Sequence, residues 1–200
     1  MKVLVIGASG TLGKAVVAEL AQRHEVIEVG KSRGAHRVDV LDSASIRRLF
    51  AEVGKVDAVV TTTGNLHFGP LTEMTPEQFQ VGLDDKLMGQ VKVVLAGHPF
   101  VNDGGSFTLT SGIVGVEPIR LGANATAVNA AIEGFARGAA IELPRGLRIN
   151  VVSPTVLTES LPAYGEYFLG FESVSAQRAA LAYSRSVDGA QTGRVYRVGE

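Results

Sequence analysis

The stretch Val3-Leu4-Val5-Ile6-Gly7-Ala8-Ser9-Gly10-Thr11-Leu12-Gly13-Lys14-Ala15 decides how this chain is read. Four consecutive apolar residues, three of them β-branched, describe a short strand buried on both faces. Three glycines at intervals of three follow at once, and a helical pattern opens among them. Gly7 permits a tight turn, Gly10 lets backbone N–H groups approach an anion, and Gly13 lets the helix lie close to the strand. The positive end of that helix then faces a phosphate group, as in dinucleotide sites. Gly7, Ser9, Gly10, Thr11, Leu12 and Gly13 are therefore candidate cofactor contacts. A glycine triplet by itself also describes a merely structural turn; its position directly after an apolar strand favours binding.

Outward from this loop, short β-branched runs alternate with longer helical patterns. The pattern predicts strands over 2–6, 25–29, 37–40, 57–62, 105–111, 147–152 and 194–198, with helices over 11–23, 43–53, 76–98, 123–143 and 173–185. Such alternation specifies βαβ units, hence a doubly wound α/β fold: about seven parallel strands with helices on both faces. Thr75-Pro76-Glu77-Gln78 reads as a capping box with proline in the first turn, and Asp42-Ser43 as a similar cap. No linker, repeat or low-complexity segment divides residues 1–200, so a single domain is expected. Two long stretches, 64–75 and 153–172, leave the carboxyl ends of predicted strands, where open α/β sheets place their ligands.

Composition narrows the partners. A formal net charge of −1 offers no electrostatic surplus for nucleic acid or anionic lipid. With no cysteine there is no disulfide, thiolate metal site or thiol nucleophile, which fits a reducing compartment. The four histidines lack metal-ligand spacing, and no apolar run has the length of a membrane span. The expectation is a soluble cytoplasmic protein with a small-molecule ligand and no metal.

Several further segments occur in an order that resembles the short-chain dehydrogenase/reductase family over nearly the whole chain. Val38-Asp39-Val40-Leu41-Asp42 is similar to the segment whose aspartate meets adenine, implicating Asp39 and Val40. Thr61-Thr62-Thr63-Gly64 stands where the family has Asn-Asn-Ala-Gly, implicating Thr62, Thr63 and Gly64. Phe107-Thr108-Leu109-Thr110-Ser111 resembles the strand that ends on the catalytic serine. Asn129-Ala130-Ala131-Ile132-Glu133-Gly134-Phe135 resembles the family's Lys-Ala-Ala-Val-Glu-Gly-Phe helix. Arg148-Ile149-Asn150-Val151-Val152-Ser153-Pro154 matches the strand leading to the nicotinamide, so Pro154, Thr155, Val156 and Thr158 are assigned to that end of the cofactor.

Cofactor choice is set after the second strand, where an acidic residue would accept the ribose hydroxyls of NAD and repel the 2′-phosphate of NADP. Here the sequence is Gly30-Lys31-Ser32-Arg33. Two cations and a hydroxyl make a phosphate cradle, favouring NADP over NAD, although Glu28 lies close by and a solvated basic turn reads the same way.

The resemblance stops at the catalytic residues. The family reduces carbonyls with a tyrosine acid, a lysine four positions later, a serine and a helix asparagine. Here Ala125 takes the tyrosine position and Asn129 the lysine position; the first tyrosine is Tyr164 and no lysine follows Lys92, so no Tyr-x-x-x-Lys pair exists. Lys86-Leu87-Met88-Gly89 replaces Asn-Leu-x-Gly, so lysine and asparagine have traded places. Ser111, Lys86 and Asn129 are the resulting catalytic candidates, with the alternative that Lys86 is an ordinary surface cation. His67, Glu159, Tyr164 and Tyr167 are other proton sources, each with a bland reading as loop, cap or lid residue. Three functions remain open: an NADP(H)-dependent oxidoreductase of small carbonyl or alcohol compounds, a non-catalytic dinucleotide binder or sensor, and a non-redox enzyme such as an isomerase or lyase. Small residues along the fifth helix, Ala130, Ala131, Gly134, Ala136, Gly138, Ala139 and Ala140, predict a homodimer or homotetramer.

Overall fold

A computed structural model describes residues 1–32 and 35–199. Seven strands form one parallel sheet: β1 (Lys2–Ile6), β2 (Glu25–Gly30), β3 (His36–Arg37), β4 (Val56–Thr61), β5 (Val101–Thr110), β6 (Arg148–Pro154) and β7 (Val195–Val198). Their spatial order is β3-β2-β1-β4-β5-β6-β7. The order reverses between β1 and β4, which opens a crevice at the carboxyl ends of those strands. The longer helices are α1 (Thr11–Leu20), α2 (Ser43–Val53), α3 (Pro76–Gly82), α4 (Met88–Gly97), α5 (Ala123–Glu142) and α7 (Ala176–Asp188), with a single-turn α6 (Leu161–Tyr164) between the last two.

Alternation along each strand supplies both faces of the sheet. Leu4, Ile6, Val59, Phe107, Leu109, Ile149 and Val151 point to one side and meet Ile46, Leu49 and Phe50 of α2, Val93 and Val94 of α4, and Val128 and Ile132 of α5. Val3, Val5, Ala58, Val60 and Val152 point to the other and meet Val16 and Leu20 of α1, with Ala180, Tyr183 and Val187 of α7. Because both faces are covered, the strands read as continuous apolar runs. A smaller cluster, Ile113, Val114 and Ala125 with Leu66, Phe68, Phe168 and Phe171, joins the two long loops.

Local chemistry fixes the helix starts. Asp42 accepts from the Ala44 N–H, and Thr75 and Gln78 complete a reciprocal capping box beside Pro76. Three predicted boundaries differ. The third strand ends at Arg37 rather than Val40, because the Asp39 carboxylate accepts from the Leu41 N–H and folds that segment into a turn. The last helix begins at Ala176, capped by Ser175 and by Glu159, whose two oxygens accept from the Ala176 N–H. The single helix predicted over 76–98 is interrupted by a π turn at Leu83–Leu87, closed by a Met88 N–H to Leu83 carbonyl bond. π turns inside helices often mark functional sites, and this one carries Lys86.

Candidate active site

The turn after β1 follows from two close approaches. Gly7 has φ +91°, a region that costs other residues energy, and its N–H donates to the Val29 carbonyl. A Cβ on Gly13 would lie 2.0 Å from the Gly7 oxygen, so only glycine lets α1 start so near the strand. Ser9, Gly10 and Thr11 are exposed, α1 has no side-chain cap, and its first turn carries no acidic residue. Its leading N–H groups are therefore open to an anion. Farther along the crevice, Asn129 Oδ1 and Thr155 Oγ1 are buried without a hydrogen-bond partner. Polar atoms buried in this way ordinarily find partners, and a polar ligand lying along the strand ends would supply them. The anion-ready helix and the unpartnered atoms fit a dinucleotide.

The adenine end is built differently from the sequence expectation. Lys31, 69% exposed, places its ammonium 3.1 Å from the Asp39 carboxylate, so two residues assigned to separate parts of the cofactor are paired. The Leu41 N–H, and then Lys31, hold the Asp39 carboxyl below its ordinary range. Ser32 is exposed beside them and Val40 is buried under α4, where it packs against Gly89. Arg33 lies outside the described residues.

At the other end a cleft of about 350 Å³ gathers Leu12, Thr62, Gly64, Lys86, Ser111, Asn129, Pro154, Thr155 and Val156. The cleft thus brings together the three catalytic candidates and six of the cofactor candidates; Thr158 stands outside it, exposed, and donates to the Ser173 hydroxyl. The Lys86 ammonium turns inward and donates to the Ser111 carbonyl at 3.2 Å. A Cβ on Gly64 would fall 2.3 Å from Lys86 Cγ, so a bare glycine lets the lysine stem pass. Burial lowers the Lys86 pKa from its ordinary value to about 8, since desolvation penalises the ammonium. Among the described residues, Lys86 is the only charged side chain lining the cleft.

Ser111 departs from its expected role as a hydroxyl facing the substrate. Its Oγ donates to Glu133 Oε1 at 3.1 Å, and the other Glu133 oxygen lies 3.7 Å from Arg197 and 3.9 Å from Arg137. Glu133 is nearly inaccessible, and a buried carboxylate draws in every donor within reach. What Ser111 offers the cleft is its carbonyl. The next residue, Gly112, faces Asn129: a Cβ there would sit 3.6 Å from the Asn129 amide. Asn129 Nδ2 donates to the Ala125 carbonyl, which leaves Oδ1 as the unpartnered acceptor.

One residue escaped the sequence reading altogether. Gln90 is fully buried, accepts from the Thr61 hydroxyl and the Thr110 N–H, and donates to the Thr110 and Lys86 carbonyls. Its only signal was a polar residue on a helix face otherwise continued by Val93, Val94 and Gly97. Of the alternative proton sources, Tyr164 lines the cleft, Tyr167 stacks on Phe68 at 5.0 Å, Glu159 caps α7, and the His67 N–H donates to Asn124.

The chain belongs to the short-chain dehydrogenase/reductase family. The adh_short_C2 family model, described as enoyl-(acyl carrier protein) reductase, matches residues 1–195. The crystal structure of the protein lin1944 from Listeria innocua is similar with a TM-score of 0.97 and 50% identity, covering 99% of both chains. A small-chain dehydrogenase solved in complex with NADPH has a TM-score of 0.89 at 24% identity, covering 99% of this chain and 96% of that one, and speaks for the fold. An uncharacterized NAD-dependent oxidoreductase of Mycobacterium tuberculosis is 30% identical over 158 residues, which are 74% of this chain and 58% of that protein. The chain thus spans little more than half the length of that curated relative. Members of the family bind NAD(P), and no helix among the described residues is long and apolar enough to cross a membrane.

Enclosure of the Lys86 ammonium predicts a pH signature in stability. Between about pH 8, its value in the fold, and its ordinary value of 10.5, the unfolded chain binds more protons than the folded one, so raising pH stabilises the fold. Urea denaturation of the wild type and Lys86→Met at several pH values should show their difference shifting in favour of the wild type across that window. A difference that stays flat would place the ammonium in water.

Proposed function

We propose that this chain is an NADP(H)-dependent oxidoreductase that interconverts a small carbonyl compound and its alcohol, with Lys86 as the proton donor in place of the family's tyrosine. The observation that carries the reading is the Lys86 ammonium: enclosed, held by the Ser111 carbonyl, and the only charge among the described lining residues of the cleft. A dinucleotide held by the Gly7 to Gly13 turn, Thr62 to Gly64 and Pro154 to Val156 would supply the hydride. A carbonyl oxygen beside Lys86 would accept a hydrogen bond from the ammonium and take its proton as negative charge develops on that oxygen. The neutral amine then regains a proton from water. Asn129 Oδ1 is free to accept from a ribose hydroxyl or from Lys86 itself. Ser111 acts through its carbonyl, which aims the lysine.

The NADP preference rests on Lys31, Ser32 and Arg33 after β2, where residues 31–38 include no Asp or Glu, and a 2′-phosphate would compete with Asp39 for Lys31. A second reading, a dinucleotide binder without chemistry, is favoured by two observations: Ala125 stands at the tyrosine position and the Ser111 hydroxyl is turned to Glu133, so neither of those family groups faces a substrate.

Spectroscopic assay across a carbonyl panel separates the two. NADPH should be consumed faster than NADH, and Lys31→Ala with Arg33→Ala should narrow that preference. Lys86→Met should bind NADPH as the wild type does and lose about 10²–10⁴-fold in turnover, the range for general acid catalysis. In the reductive direction turnover should fall as pH rises through about 8, because the ammonium is the donor. NADPH bound tightly and consumed with no substrate would leave the binder reading.

The same reading includes self-association through α4 and α5. Leu95 is 60% and Ile141 87% exposed, and the space beside Gly134 and Gly138 is open to another helix. Light scattering at micromolar concentration should give a dimer or tetramer; a monomer would contradict this.

A further inference from the structure

The cleft also carries information about what enters it. With the side chains assigned to the dinucleotide set apart, the apolar wall consists of Leu66, Phe68, Ile113, Val114, Leu157 and Phe168, with Tyr164 beside Phe68. Leu66, Phe68, Leu157 and Phe168 come from the two long loops and Ile113 and Val114 from the turn after β5; the rings pack on one another: Phe68 lies 5.8 Å from Tyr164 and 5.0 Å from Tyr167, and Phe168 meets Phe171 edge-on at 5.5 Å. Lys86, on the Ser111 carbonyl, and Asn129, beside Gly112, bring polar groups together just after β5. Ser111 aside, the other polar side chains of the lining outside the dinucleotide set are Asn65, Thr110, Ser160 and Tyr164, none of them cationic. Asn65 in turn donates to the Asp85 carboxylate at 2.6 Å, so a negative charge stands behind that side chain.

From this distribution we infer that the substrate is an uncharged ketone or aldehyde whose carbonyl is attached to a flat apolar body, an aryl ring or fused bicycle, rather than a keto acid. The inference rests on the reading that Lys86 faces the carbonyl. The one cation among the described lining residues already donates to the Ser111 carbonyl and serves the reacting oxygen, so a carboxylate on the ligand would have to share it or be buried among apolar side chains, losing hydration with little compensation. A flat ring, by contrast, gains contact with Phe68 and Phe168 and loses little water. Selection among carbonyl compounds therefore arises from the aromatic wall, and Lys86 serves whichever carbonyl the wall admits.

Ligand binding tests this independently of chemistry. Saturation-transfer NMR and calorimetry would compare 2-tetralone, a neutral bicyclic ketone, with pyruvate and 2-oxoglutarate, on the chain alone and with NADP⁺ present. The account requires 2-tetralone to bind more tightly than either keto acid. Phe168→Ala should weaken that binding by about tenfold, the effect of losing one good ring contact, while NADPH affinity stays unchanged. If Phe168→Ala fails to fold by circular dichroism, Phe168→Leu keeps the apolar volume, removes the ring and should still weaken 2-tetralone. Keto acids binding as well as 2-tetralone, 2-tetralone failing to bind, or indifference to Phe168 would each overturn the inference. Ring-dependent binding without NADPH consumption would leave it standing and refute the redox reading. Consumption of NADPH with keto acids alone would do the reverse.

Discussion

In a parallel sheet the N–H and C=O of one residue point to the same neighbouring strand, and those of the next residue to the opposite one. The Ser111 N–H reaches β6 at the Val152 carbonyl, so Thr110 must turn both of its main-chain groups toward β4. Pairing between β4 and β5 ends at Val60 and Thr108, however, and the Thr110 groups would be left buried and unpaired, at about 1–3 kcal/mol each. The Gln90 amide takes the place of the missing strand, giving the N–H an acceptor and the C=O a donor. The same amide holds the Thr61 hydroxyl at the end of β4 and the Lys86 carbonyl in the π turn. On the opposite face, the Thr110 hydroxyl donates to the Thr61 carbonyl and meets the buried Tyr183 hydroxyl. One side chain thereby ties the gap between two strands to the backbone of the lysine above it.

That tie gives the cleft its electrostatic character. An ammonium on a free surface would be hydrated; one anchored by its own backbone and aimed at a fixed carbonyl is enclosed instead. Desolvation is the cause of its lowered pKa. Nearby, the buried Glu133 carboxyl accepts from the Ser111 hydroxyl and is flanked by Arg137 and Arg197. The positive site and the negative one share Ser111, one through its carbonyl and the other through its hydroxyl.

Much of this was legible in the sequence because it depends on local backbone limits. The Gly7 to Gly13 turn, the Thr75 to Gln78 capping box and the alternation of strand and helix are each decided within a few residues, and the parallel seven-stranded sheet follows from their order. The exchange of Lys86 and Asn129 was visible as two departures from a family pattern, and the fold brings both into one cleft. What could not be read depends on distant partners. A glutamine on a helix looks like surface until the strand gap it fills is known. The direction of the Ser111 hydroxyl is settled by Glu133, 22 residues later. The shortened third strand reflects the Asp39 turn, and the pairing of Lys31 with Asp39 joins two segments whose residues seemed to have separate duties.

The central claim is that Lys86 is an enclosed, readily deprotonated ammonium, and its titration can be followed directly. In protein labelled with ¹³C-lysine, one Cε resonance, identified by its absence in Lys86→Met, should titrate near pH 8. If that resonance instead titrates at the ordinary lysine value of 10.5, the ammonium is solvated and the account of this cleft is wrong.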